Sequence, residues 1–287
     1  MTWNTWMELV ALIRALDTRR YNGRFEYTDL EILLTHFWAV VHRRPDSWAC
    51  RRENWPIFVR HVARPSCSRL SRRLRSPQVQ ALNAAVFVHL RARVPRCPLL
   101  LIADGKAIVV SGHSRDGQAT RGCYGLRGYK LHALCDSSGY LVRFKVTPLH
   151  VHEVAMTCRM LRDLPAVGYV LADSNYESKH LYAQCAQSSA QLLAPRRTTH
   201  QGKGTRKVIT PARRRAIDML EHSGTGFGPA LYTQRRAVER CFGRLETNFG
   251  LSRAPAWVRG LDRIRRWVSA IAAIDLFGRL RKLNADV

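Results

Sequence analysis

The spacing of apolar residues changes near residue 97, and that change limits what this chain can become more than any other feature. Before it, apolar side chains recur every three and four positions. In YTDLEILLTHFWAVVHRR (27–44), Leu30, Leu33, Leu34, Phe37, Trp38 and Val41 share one helical face. Thr28 with Glu31 three positions on makes a capping box, and Pro45 marks the stop. Beyond residue 97 come short, continuous apolar runs. PLLLIADGKAIVV (98–110) reads as a strand ending at Asp104, and YGLRGYKLHALCDSSGYLVRFKVTP (124–148) as two strands about a turn at Asp136-Ser137-Ser138-Gly139. VHEVAMTCRMLRDL (151–164) returns to helical spacing, and AVGYVLADSNY (166–176) is a buried-type strand that ends in Asp173. A helix, a further short strand and a final helix at 261–283 follow. Strands alternating with helices predict an α/β layer with a mixed sheet flanked by helices. The expected division is an all-helical region over 1–95 and an α/β domain over 96–287. The final helix is expected to pack on that domain, and a basic excursion to leave it at about 195–230.

Forty-seven Lys and Arg against twenty-one Asp and Glu leave a net charge of +26. A field of that sign gathers polyanions, and nucleic acid is the natural partner. An anionic membrane is the other polyanion to consider, but the apolar runs are interrupted by charge and too short to span a bilayer. The N-terminal stretch lacks a basic segment and a small-residue cleavage site, so a cytoplasmic location is expected. The eight cysteines are scattered singly, without zinc-ribbon spacing, and read as reduced. His150 and His152 could share a strand face for a metal, but no third ligand is at hand, which favours a helix-entry role for His152 and Glu153. No G-x-x-x-x-G-K-[ST] motif occurs, against a nucleotide-driven motor.

Two basic stretches could hold DNA. The segment RPSCSRLSRRLRSPQVQALNAAV (64–86) carries Arg69, Arg72, Arg73 and Arg75 on a short helix, either the recognition helix of a helix-turn-helix or an ordinary solvated face. The excursion beginning PRRTTHQGKG holds Arg196 and Arg197 and is expected to touch phosphate.

Three acids remain. Asp104 and Asp173 end apolar runs, where α/β folds place functional side chains, although a turn residue chosen for local hydrogen bonds is the competing reading. Glu239 is a lone acid in YTQRRAVERCFGRLE (232–246), a stretch that reads as one amphipathic helix. It is either the salt-bridge partner of a neighbouring arginine or the third member of a set. Order and spacing of several motifs together resemble the DDE transposases of bacterial insertion sequences. IADGKAI followed by GHSRDG is similar to that family's first-aspartate segment, with His113 near it. GYKLHALCDSSGYLVRFKVTPLHVHEV is similar to its central hairpin, and VLADSNYES to its second-aspartate segment. Tyr232, Arg235 and Glu239 match its Y-x-x-R-x-x-x-E signature. The likeness covers roughly residues 97–280.

The resemblance implies a ribonuclease-H-like catalytic domain and a helical DNA-binding region before it. It implies Asp104, Asp173 and Glu239 as metal ligands, and Tyr232, Arg235 and Arg236 as DNA contacts. Two Mg²⁺ ions, with Mn²⁺ as a substitute, and double-stranded DNA held by a homodimer or higher oligomer complete the picture. The expected activity is cleavage at terminal inverted repeats and joining of the 3′ ends to target DNA in a bacterial nucleoid. The alternatives are a non-catalytic DNA-binding derivative and a nuclease of the same fold. One departure stands out: the signature often continues with a lysine two helical turns after the glutamate, and that position is Glu246.

Three carboxylates also make chemical sense without any family. A hard divalent cation takes oxygen ligands and keeps several waters, so a few carboxylates and a substrate phosphate suffice to hold a pair of ions. Close carboxylates repel one another, which makes such a cluster unfavourable until a cation joins it.

Overall fold

Helical spacing in the first third of the chain and strand spacing beyond it are both realised in a computed structural model of the protein. It describes residues 1–19, 26–95, 99–122, 125–162, 164, 168–196, 210–222, 224 and 226–285. The chain forms two compact units, Met1–Val94 with Pro255–Val287, and Pro95–Ala254.

The first unit contains α1 (Trp3–Leu16), α2 (Asp29–Val41), α3 (Asp46–Ala49), α4 (Cys67–Arg73) and α5 (Pro77–Arg93). Its core holds a tryptophan cluster in which Trp38 stacks on Trp55 with ring centroids 4.6 Å apart. The capping box forms as expected: the Thr28 hydroxyl accepts from the Glu31 amide, and Glu31 accepts from the Thr28 amide at 2.7 Å. Pro45 then caps α3. Burial of α2 is wider than the single face expected, because α1, α4 and α5 surround it and the C-terminal helix Leu261–Ala285 packs on it as well as on α5. That helix was expected on the α/β domain. Its apolar spacing requires a buried face but does not name the surface that covers it.

The second unit is built on β1 (Leu100–Val109), β2 (Thr120–Arg121), β3 (Arg127–Cys135), β4 (Leu141–Pro148), β5 (Tyr169–Leu171) and β6 (Gln191–Leu193). β3 lies antiparallel between β1 and β4, while β1, β5 and β6 run parallel. The order is β4-β3-β1-β5-β6, with β2 sharing the outer edge of β3. Helices α6 (Glu153–Leu161), α7 (Lys179–Gln187), α8 (Pro211–Ile217), α9 (Phe227–Thr233) and α10 (Arg236–Phe249) accompany it. An antiparallel hairpin added to a parallel half, with helical connections, is the mixed sheet of the ribonuclease-H-like fold.

The β3–β4 turn follows its chemistry. Asp136 Oδ1 accepts from the amides of Ser138 (3.1 Å) and Tyr140 (2.9 Å), and Gly139 takes φ +74°, which a glycine adopts without strain.

Three further expectations are corrected. β1 does not end at Asp104, because antiparallel pairing with β3 carries it on to Val109 opposite Gly128. The stretch 232–246 is not one helix: Gln234 and Arg235 form a turn between α9 and α10. The excursion at 195–230 is not simply an irregular loop, since Pro211–Ile217, the π-helical turn Asp218–His222 and α9 all lie within it, while 197–209 fall outside the described residues.

Candidate active site

Register brings the two aspartates together. The last residues paired between β1 and β5 are Ile102 and Leu171, and two positions further along each chain come Asp104 and Asp173. Neighbouring strands lie about 4.8 Å apart, so both carboxylates belong to one end of the parallel pair. β5 stops there while β1 runs on, and the sheet holds Asp104 in a strand rather than a turn. The Asp104 Oδ1 accepts from the Gly105 amide at 2.8 Å. Asp173 opens a 3₁₀ turn, Ser174–Tyr176, by accepting from the Asn175 amide at 2.8 Å. Just beyond, Glu177 accepts from Arg213 of α8 at 2.7 Å, which fastens the far side of that turn.

Glu239 arrives by a separate route. The buried stripe of α10, Ala237, Val238, Cys241, Phe242 and Leu245, fixes the helix rotation and leaves Arg236, Glu239 and Arg240 exposed. The hairpin turn meets the start of this helix closely: a Cβ at Gly139 would lie 2.8 Å from the Ala237 carbonyl. Arg244 donates to the Gly139 carbonyl at 3.1 Å and reinforces the contact. Tyr232 of α9 donates to the carbonyl of Ala172, the residue before Asp173, at 3.2 Å.

Arg235, in the turn between those helices, then joins the acids. Its guanidinium lies 2.8 Å from Glu239 Oε1 and 3.6 Å from Asp104 Oδ2. Burial pushes the Asp104 carboxyl up to about 6; the Gly105 amide and Arg235 pull it down, and the charges of Asp173 and Glu239 add to the rise. Burial opposes the Arg235 charge, yet Asp104, Tyr232, Glu239 and Asp173 hold its pKa above the ordinary value. All three acids thus share one electrostatic neighbourhood with a single guanidinium between two of them. Both readings of Glu239 meet here, since it is an arginine's ion-pair partner and also a member of the acid set.

Residues outside the sequence-based set join this neighbourhood. Lys130 of β3 pairs with Glu153 at 2.5 Å and donates to the Val151 carbonyl at 3.1 Å. A Cβ at Gly105 would lie 3.0 Å from Glu153 Cγ, so a fourth carboxylate packs directly against the residue after Asp104. Tyr176 is fully buried with no hydrogen-bond partner for its hydroxyl; burial, then Asp104, Glu153 and Asp173, push that hydroxyl far up. The one sequence hint was the HEV at the start of α6, where His152 does cap the helix by accepting from the Val154 amide at 3.3 Å. His150 instead contacts Thr120 at 3.0 Å, and His113 is exposed in the loop after β1.

The basic residues divide. Arg72 and Arg236 are exposed. Arg69 is paired with Glu26, and Arg73 with Asp29 at 2.5 Å and the Tyr27 carbonyl at 2.9 Å. Arg73 is only 14% exposed, so its charge is already answered inside the unit. Arg196 pairs with Glu221 at 2.7 Å, and Arg197 lies outside the described residues. Glu246 accepts from the Ser252 amide and holds the turn after α10, a structural use for the position where the signature often has lysine.

The donor set suits a hard cation, since Asp104, Asp173 and Glu239 offer only oxygen. Among the described residues no three His, Cys, Asp or Glu groups form a ready-made metal cage. Glu239 is turned to Arg235, and that one guanidinium answers only part of the charge that the three acids carry when ionised. No helix among the described residues is long and apolar enough to cross a membrane.

A protein of Brucella ovis described as a transposase for insertion sequence element IS6501 is 27% identical over 117 residues, which is 41% of this chain and 75% of that protein. The piggyBac transposase synaptic complex with hairpin DNA aligns at 11% identity and TM-score 0.48, over 99% of this chain and 74% of that one. The Mos1 transposase paired-end complex aligns at 14% identity and TM-score 0.24, over 89% and 81%. The family model for the transposase DDE domain matches residues 95–274, more than half of the chain. This chain therefore belongs to the DDE transposase family.

Proposed function

We propose that the chain is the transposase of an insertion sequence: it binds the element's terminal inverted repeats, cuts the phosphodiester by metal-dependent hydrolysis and joins the freed 3′ ends to target DNA. The observation that carries this reading is the gathering of Asp104, Asp173 and Glu239 around Arg235 at the end of the parallel strands. Two Mg²⁺ ions held by these carboxylates, or Mn²⁺ in their place, would neutralise charge at the scissile phosphate and stabilise attacking and leaving oxygens.

The protein's own groups do the rest. β1 and β5 hold two carboxylates at a fixed separation, and the buried stripe of α10 brings the third to them. Arg235 is poised to leave Glu239 for a DNA phosphate, whose charge matches its fork of donors. Tyr232, tied to the strand before Asp173, and the exposed Arg236 line the same approach for the DNA backbone. Exposed Arg72, with Arg69 and Arg196 once released from their acid partners, adds grip from elsewhere on the chain. Arg197 belongs to the same expected grip, while Arg73 serves its own fold. Two DNA ends must be held at once, so a homodimer or higher oligomer on DNA is part of the proposal, in the bacterial cytoplasm where the DNA lies.

The test is a labelled element end incubated with Mg²⁺ or with EDTA, alongside a precleaved end offered to target DNA. Cleavage and joining in Mg²⁺ alone are expected. Binding without cleavage under any metal would make this a non-catalytic DNA-binding relative, and cleavage without joining a nuclease.

A further inference from the structure

The helical unit carries a cavity of about 200 Å³ away from the acids, lined by α2, α3 and α4 and by the segment that begins the C-terminal helix. Arg44, Arg263 and Arg266 contribute three cations to its wall and Asp46 one carboxylate, so the lining is positive by two charges. Asp46 is paired with His36 at 2.8 Å and, with Asp262, also acts on Arg266, while Arg263 and Arg75 add like charges beside that guanidinium. Two polar atoms of lining residues are buried without a partner, His36 Nε2 and Arg266 Nη1. Buried donors and acceptors normally have partners, so each unmatched one calls for something to complete it. Trp257 lines the same cavity and is 44% exposed, an unusual position for so large an apolar ring.

We infer that this cavity takes one nucleotide of a DNA strand, its base stacked on Trp257 and its phosphate held by Arg263, Arg266 and Arg44. The chemistry of the wall selects the ligand. Excess guanidinium calls for an anion, and Arg matches phosphate oxygens in two-pronged contacts. An exposed indole beside those charges offers the stacking platform on which proteins receive an unpaired base. A base inside a duplex cannot reach such a wall, so the nucleotide is one drawn out of the stack.

The inference rests on the reading of the protein as a DNA-binding transposase, and its test separates the two. Binding of the full chain is measured by anisotropy to a perfect duplex, to the same duplex with one bulged base, and to one whose bulge is abasic. The wild type is expected to prefer the bulged base over the abasic bulge on the order of tenfold, the usual scale of one stacked base. Trp257→Ala should erase that preference while its affinity for the perfect duplex stays within about twofold, and Trp257→Phe should keep part of it. Arg263→Gln should weaken the bulged complex more than the perfect one. Deoxyadenosine monophosphate is added as competitor to separate a free nucleotide from one in a strand. If it abolishes the preference at micromolar concentration, the cavity is a free-nucleotide site and the strand assignment is overturned. Equal binding of bulged and abasic duplexes, or a preference that survives in Trp257→Ala, overturns the cavity assignment and leaves the transposase reading intact. A wild type that binds no DNA overturns both.

Discussion

Replacing Asp104 by asparagine should make the protein more stable while removing its activity. Burial raises the Asp104 carboxyl from the ordinary 3.8 to about 6, and the side chain is only 17% exposed, so solvent screens the effect little. A carboxyl with a raised folded pKa favours the fold below pH 3.8, where both states are protonated, and this support disappears as pH climbs through about 6. Above that window the ionised group costs the fold on the order of 3 kcal/mol, at about 1.36 kcal/mol per pKa unit. The amide side chain of the variant carries no charge and is free of that cost. Thermal or denaturant unfolding in EDTA should therefore find Asp104→Asn more stable at pH 7 by up to about 3 kcal/mol, with the gap closing near pH 4. Mg²⁺ should stabilise the wild type and not the variant, because a ligand that binds only the folded state raises its stability by mass action. An Asp104→Asn protein equal to or weaker than wild type at pH 7 would refute the claim that this carboxylate is held against its own solvation.

Other perturbations follow from neighbouring groups. His132 is fully buried and held down to about 4 by burial and Lys130, so it favours the fold above pH 6.5 and loses that support as pH falls toward 4. His132→Gln should flatten this acid limb by on the order of 3 kcal/mol in pH-dependent unfolding. Gly139→Ala meets both a left-handed φ of +74° and a carbonyl 2.8 Å away, and should lower stability by more than about 1 kcal/mol. Its cleavage rate should fall with it, because that turn seats α10 and Glu239. Tyr176→Phe removes a buried hydroxyl that has no partner, and should be neutral or stabilising by about 1 kcal/mol in the same assay.

Much of this architecture can be read before any coordinates. The Asp-Ser-Ser-Gly turn, the capping box at Thr28 and Glu31, and the cap at His152 are local, set by hydrogen bonds within a few residues. Asp173 is readable for a similar reason, as an acid that ends an apolar run and then caps a turn. Asp104 shows the limit: whether a strand stops or continues past an acid depends on its partner, and β3 carries β1 on to Val109. The C-terminal helix shows it again, because a periodic apolar face announces burial without naming the covering surface. The arginines are the hardest case. Arg73 and Arg72 are adjacent in sequence and alike in chemistry, yet a buried Asp29 far away takes one and leaves the other exposed. Lys130 escaped notice likewise, and Glu153 was legible only as a helix-entry residue, since only the fold brings strand and helix entry together beside Gly105.

Glu239 decides the central claim, because the structure gives it both an ion-pair partner and a place among the acids. The most direct measurement compares wild type and Glu239→Gln for binding to the labelled element end and for its cleavage in Mg²⁺. The account predicts near-equal binding and a cleavage rate lower by on the order of a thousandfold, the loss of ~4 kcal/mol of transition-state stabilisation. A Glu239→Gln protein that cuts at the wild-type rate would leave Glu239 as nothing more than the partner of Arg235.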